Sequence, residues 1–150
     1  MNLLHATDRR RWRQLSIALA VGAGLGLSLP AFASRAELPM TKHEGKVTYL
    51  SGGIGADEAQ AMRSAAPQYP LEVEFIKKEA SGPAAYLADD HVTIRDHAGK
   101  TVLNTTSGGP YLLAKLPAGW YTVSASNHNI SKERRIDVTP DKHERIVFEW

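Results

Sequence analysis

The stretch that most constrains this chain runs from Gly108 to Ser126, GGPYLLAKLPAGWYTVSAS. Gly108, Gly109 and Pro110 break whatever precedes them and release an apolar run, Tyr111-Leu112-Leu113-Ala114. In Leu116-Pro117-Ala118-Gly119 the proline fixes its own φ and the glycine tolerates φ > 0, so the chain turns sharply between two apolar segments. Beyond the turn, Tyr121, Val123 and Ala125 alternate with Trp120, Thr122, Ser124 and Ser126, the period of two of a half-buried strand. A tyrosine two residues after a turn glycine matches the tyrosine corner of Greek-key sandwiches, whose hydroxyl bonds back to nearby backbone.

The same period recurs on both sides of this pair. Lys46 to Leu50 reads as a first strand with Val47 and Tyr49 on one face. After the loop Ser51-Gly52-Gly53-Ile54-Gly55, residues 57–66 read as a short helix, with Asp57 and Glu58 at its positive end and Pro67 as its stop. Leu71, Val73 and Phe75 alternate with Glu72 and Glu74, whose carboxylates are expected in solvent. Val92 and Ile94, residues 100–104, Ile136 and Val138, then Ile146, Phe148 and Trp150 continue the pattern, with turns at 96–99, 127–129 and 139–142. About eight short strands at spacings of roughly 8–12 residues predict an all-β, seven- to eight-stranded Greek-key β-sandwich over 46–150. One short helix is inserted after the first strand.

The N-terminus reads as an address. Arg9, Arg10, Arg11 and Arg13 precede a charge-free run from Leu15 to Leu29, and small residues flank Phe32 in Pro30-Ala31-Phe32-Ala33. Residues 1–33 are therefore expected to be a signal peptide cleaved after Ala33, with 34–45 a flexible lead-in. A retained anchor is the competing reading, although a spanning helix needs about 20 apolar residues. The leader takes four arginines and Asp8 with it, so the precursor's formal charge of +2 becomes 14 basic against 15 acidic residues, or −1. No basic stripe remains for nucleic acid. The chain has no cysteine, which excludes disulfide staples and thiolate chemistry in an exported protein. The periplasm, or secretion beyond it, is the expected compartment, without stable membrane insertion once the leader is removed.

Residues 86–138, and above all Gly109-Pro110-Tyr111-Leu112-Leu113 with Leu116-Pro117-Ala118-Gly119-Trp120-Tyr121-Thr122-Val123, resemble the carboxypeptidase regulatory-like domain. That family has a transthyretin-like (prealbumin-like) sandwich, also classed with carbohydrate-binding-like folds. Leu116, Pro117, Gly119 and Tyr121 fit its Leu-Pro-x-Gly turn and the aromatic that follows. The resemblance implies an accessory, adhesive or ligand-binding module and covers about half of the mature chain. Ser51 to Glu58, with the helix, resembles small exported proteobacterial proteins of unassigned role.

The chemistry-bearing residues are sparse. Ser51-Gly52-Gly53-Ile54-Gly55 lacks the Gly-Lys-Ser/Thr of a phosphate loop and the spacing of a dinucleotide fingerprint, and Asp57 and Glu58 would repel an anion there. What remains for Ser51, Gly52, Gly53 and Asp57 is a turn, or an exposed loop that a partner's backbone can approach. His43, His91, His97, His128 and His143 show no paired metal-ligand spacing, so no metal or cofactor is expected. Asp57/Glu58, Glu72/Glu74 and Asp89/Asp90 are the available carboxylate pairs. No serine has a nucleophile-elbow setting. Trp120 alternates out of the core strand, where an indole either covers a neighbouring element or stacks on a sugar or protein partner. The expectation is an exported, non-enzymatic binding or accessory module for an envelope protein or a carbohydrate. The alternatives are a small periplasmic hydrolase using a carboxylate or histidine cluster, and a structural subunit of an envelope complex.

Overall fold

The structure, a computed structural model, describes residues 37–150. The expected leader, residues 1–33, lies outside the described residues. In chain order the strands are β1 (Lys42–Glu44), β2 (Val47–Gly52), β3 (Leu71–Lys77), β4 (Ala85–Tyr86) and β5 (His91–Asp96). They continue as β6 (Thr101–Thr106), β7 (Tyr111–Lys115), β8 (Gly119–Asn127), β9 (Ile130–Val138) and β10 (Glu144–Glu149). Helix α1 (Ala56–Ala65) follows β2 and ends in a 3-10 turn at Ala66–Gln68 that contains Pro67. One sheet has the order β1-β2-β7-β3-β10, with β4 extending β3, and the other has the order β6-β5-β8-β9. All pairings are antiparallel except β3 with β10, which is parallel. The chain is therefore the expected all-β sandwich with one short helix.

The core lies between the sheets. Leu71, Val73, Phe75, Leu112, Ala114 and Phe148 from the first sheet meet Val92, Ile94, Leu103, Val123 and Ala125 from the second. A second cluster lies on the outer side of the first sheet, where Met62, Ala65 and Ala66 pack on Leu50, Tyr111 and Leu113. Strand β7 is thus covered on both faces. That is why Tyr111-Leu112-Leu113-Ala114 is an unbroken apolar run rather than an alternating one. Fully burying such side chains is worth about 1.5–3 kcal/mol each, enough to hold α1 on the sheet.

The organising turn is as expected. Gly119 has φ +148°, a conformation that side-chain-bearing residues rarely adopt. Tyr121 is buried and its hydroxyl donates to the Pro117 carbonyl at 2.9 Å. Both open seams of the sandwich are closed by charged groups. Glu44 accepts the backbone N–H of Asn104 at 3.1 Å, satisfying the edge strand β6. Lys132 and Arg134, inward on edge strand β9, lie over the rings of Trp150 and Phe148.

Several elements depart from the sequence reading. Lys42–Glu44, expected in a flexible lead-in, pairs with β2 as an edge strand. Strand β9 begins at Ile130 rather than near Arg135, because charged Lys132 and Arg134 occupy inward positions and mask the alternation. Val102 is only half buried while Leu103 is fully buried, because a bulge between Ile94 and Arg95 shifts the register of β6. Glu72 and Glu74 are not in solvent. They are 5% and 6% exposed.

Candidate functional site

The outer face of the second sheet is a polar surface built by register. Across β5, β8 and β9, Arg95 stands opposite Thr122 and Thr122 opposite Arg135. The neighbouring row sets Thr93, Ser124 and Glu133 side by side, and the next sets His91, Ser126 and Ser131. Trp120, opposite Asp137, heads this array and is 61% exposed. A surface groove of about 510 Å³ runs beside it, lined by Trp120, Thr122, Arg95, Arg135, His97 and Asp96 among others. A smaller groove of about 200 Å³ shares Arg95 and Glu133 with the first and continues past Thr93, Ser124 and Ser126.

The charges of this face are unevenly committed. Asp96 accepts the backbone N–H of Ala98 at 3.0 Å and of Lys100 at 2.9 Å, so its carboxylate holds the β5–β6 turn. Ser124 donates to Glu133 at 2.8 Å. Neither Arg95 nor Arg135 forms an ion pair with a described residue. The face therefore offers two open guanidinium forks, a flat indole and a floor of hydroxyls.

Of the two readings of the glycine-rich loop, a turn or an exposed loop, the first describes Ser51 to Gly53. Ser51, Gly52 and Gly53 are buried, so this part of the loop is a seam and not an exposed partner surface. Ser51 Oγ accepts the Gly108 N–H at 2.7 Å, and the Gly53 N–H donates to Glu58 Oε1 at 2.6 Å. Gly53 has φ +101°, and a Cβ there would strike the Tyr111 ring. Only Ile54, 65% exposed, and Gly55 to Asp57 face outward. The loop closes the end of β2 in the first sheet while Trp120 belongs to the second, so the structure does not gather these sequence candidates into one site.

The remaining catalytic candidates are tied into the scaffold. His143 Nε2 lies 2.9 Å from Glu72 Oε2 and its Nδ1 lies 2.8 Å from the Tyr69 carbonyl. Both partners can only accept, so the ring bridges them fully when it carries both protons and has no free nitrogen for a substrate. Arg145 pairs with Glu74 and sits 3.8 Å from Glu72. Asp90 is fully buried near the Trp150 indole N–H and the Asn127 side chain, but neither carboxylate oxygen nor the indole nitrogen reaches hydrogen-bond geometry with a partner. Burial pushes the Asp90 carboxyl up from the ordinary range, offset in part by nearby Asn127, Trp150 and His128. Among the described residues no three His, Asp or Glu side chains converge as a metal site.

Sequence reading found Trp120 but missed Arg95 and Arg135. Each reads singly as a solvated charge on an alternating strand, and only the register of β5, β8 and β9 places them on either side of Thr122. No protein-family profile and no curated protein matches this chain.

Proposed function

We propose that this is an exported, non-enzymatic binding module that takes a carbohydrate on the outer face of β5, β8 and β9. The observation that carries the reading is Trp120, a large flat apolar side chain held in water on an otherwise polar sheet face, beside a groove of ligand-sized volume. An indole offers its face to the C–H side of a sugar ring, while surrounding Ser, Thr, Arg and acidic groups match the hydroxyls. A hydrolase is disfavoured because His143, Glu72 and Glu74 are bound to one another and to backbone rather than aimed into an open groove. Export rests on the leader pattern, and the likeness to carbohydrate-binding-like folds on the Leu116–Val123 turn.

One observation favours a second reading, an accessory subunit that docks on an envelope protein. Leu38, Met40, Ile54 and Tyr86 are exposed apolar side chains, and two of them border the packed end of β2. Tyr86 lies 5.8 Å from the Tyr111 ring, and Ile54 follows Gly53 in the loop over that ring.

A glycan array probed with wild type and Trp120→Ala tests the carbohydrate reading. Truncating a stacking anchor is expected to weaken capture by about 2 kcal/mol or more, roughly thirtyfold. Wild type that captures no glycan, or capture unchanged in the variant, removes this function from the face.

A further inference from the structure

We infer that the ligand of this face is an acidic polysaccharide of carboxylate-bearing sugar rings, one ring stacked on Trp120 with its carboxylate between Arg95 and Arg135. The inference rests on the carbohydrate reading and names its substrate class. Arg95 and Arg135 flank Thr122 from the two neighbouring strands, so their backbones stand about 10 Å apart across a small hydroxyl side chain. Two guanidinium groups brought to one gap repel each other unless an anion lies between them. Among the described residues no carboxylate pairs with either arginine: Asp96 is turned to the backbone of its turn, and Glu133, on the border of the groove, accepts from Ser124. Asp137 stands opposite Trp120, two residues along β9 from Arg135, and completes the local charges as an acceptor for hydroxyls.

A carboxylate fits this gap better than a neutral hydroxyl, because each planar fork binds it through paired N–H donors. Trp120 is one strand repeat from Thr122, so a ring lying on the indole carries its substituent toward the arginines. The low floor of Thr122, Ser124 and Ser126 extends the groove along β8 for about 20 Å from Trp120, at roughly 3.3 Å per residue. That length suits a polymer rather than a single sugar. A polyphosphate chain is a poorer match, since it offers no ring face to the exposed indole of Trp120.

Calorimetric titration of the purified protein with oligogalacturonate, a cello-oligosaccharide of equal length and dextran sulfate tests the assignment. Oligogalacturonate is expected to bind at least about tenfold more tightly than the neutral chain and to weaken with added salt. Arg95→Gln and Arg135→Gln, with melts confirming that they fold, are each expected to cost about tenfold for oligogalacturonate and little for the neutral chain. Equal affinity for both glycans overturns the acidic assignment and leaves the carbohydrate reading standing. Binding of neither glycan overturns both. Dextran sulfate captured as tightly by Trp120→Ala as by wild type, with oligogalacturonate behaving alike, shows charge capture without ring recognition and also overturns the inference.

Discussion

On the outer face of the first sheet, Leu50, Tyr111 and Leu113 lie under α1, and Glu72 and Glu74 lie against His143 and Arg145. On the outer face of the second sheet, Trp120, Arg95 and Arg135 are exposed, and among the described residues no element is laid over them. Both sheets share one core and obey the same alternation, so strand pattern does not separate them. The difference is what the chain supplies as a cover. Between β2 and β3 it inserts a helix, and before β10 it places His143. The second sheet is joined through short turns, such as those at 97–100 and 128–129, which leave no length for a cover. A face left bare and polar with one large indole has a composition suited to a ligand, whereas a face given its own helix is scaffold.

The largest effect expected is on the covered face. Tyr111 is 2% exposed, packs under α1 and is bonded by Arg63 at 3.2 Å. Tyr111→Ala should cost about 3–5 kcal/mol, the range of large-to-small aromatic substitutions in a core. Urea unfolding followed by fluorescence measures it. A cost below 1 kcal/mol, on the order of a surface change, would break the comparison, because the helix would then be a loose attachment.

The charged half of that cover is worth less. Glu72→Ala leaves His143 Nε2 without its buried acceptor, while Arg145 keeps Glu74, a loss of about 1–3 kcal/mol. Part of it is recovered because the His143 side chain is part-exposed to solvent, so the lower end of that range is expected in a denaturant midpoint. A neutral or stabilising result would make the pair a tolerated charge rather than a clasp.

Asp90 sharpens the contrast, being a buried carboxylate without such partners. Its pKa in the folded protein is raised, chiefly by burial, so folding favours the protonated form. The stability it contributes is fully present below the ordinary carboxylate pKa and is lost as pH rises through the raised folded value. Asp90→Asn stays neutral at every pH. Its unfolding midpoint should match wild type in acid and exceed it increasingly toward neutral pH. Parallel pH profiles for the two proteins would show that Asp90 is ionised and satisfied in the fold.

How much of this was legible in the sequence follows from which forces are local. The turn at Leu116–Gly119, the alternation of Tyr121, Val123 and Ala125, and the helix stopped by Pro67 are set by φ preferences and side-chain period over a few residues. They came through directly. The burial of Glu72 depended on the parallel register of β10, which brings residues 71 apart together. Glu-x-Glu and His-x-Arg are both visible in the chain, but nothing local says that they meet. The same limit hid Arg95 and Arg135 and left an exposed loop as the alternative to a turn at Ser51–Gly53, since Gly108 and Glu58 close it from elsewhere.

The smallest effect expected is also the one that decides what the bare face is for. Trp120 touches the scaffold little, at 61% exposed, and its neighbours on β8 and β9 are held by their own ladder. Trp120→Ala should therefore move stability by no more than about 0.5 kcal/mol, the usual span for surface substitutions. Hydrophobic burial argues for the same figure, because most of the indole's area is in water in both states. Thermal melts of wild type and variant, read beside their glycan capture, separate the two roles an indole can have. An unchanged melting temperature with capture lost assigns Trp120 to recognition. A fall of several degrees with capture intact assigns it to packing, and the second sheet's outer face would then be covered in the sense that the first one is.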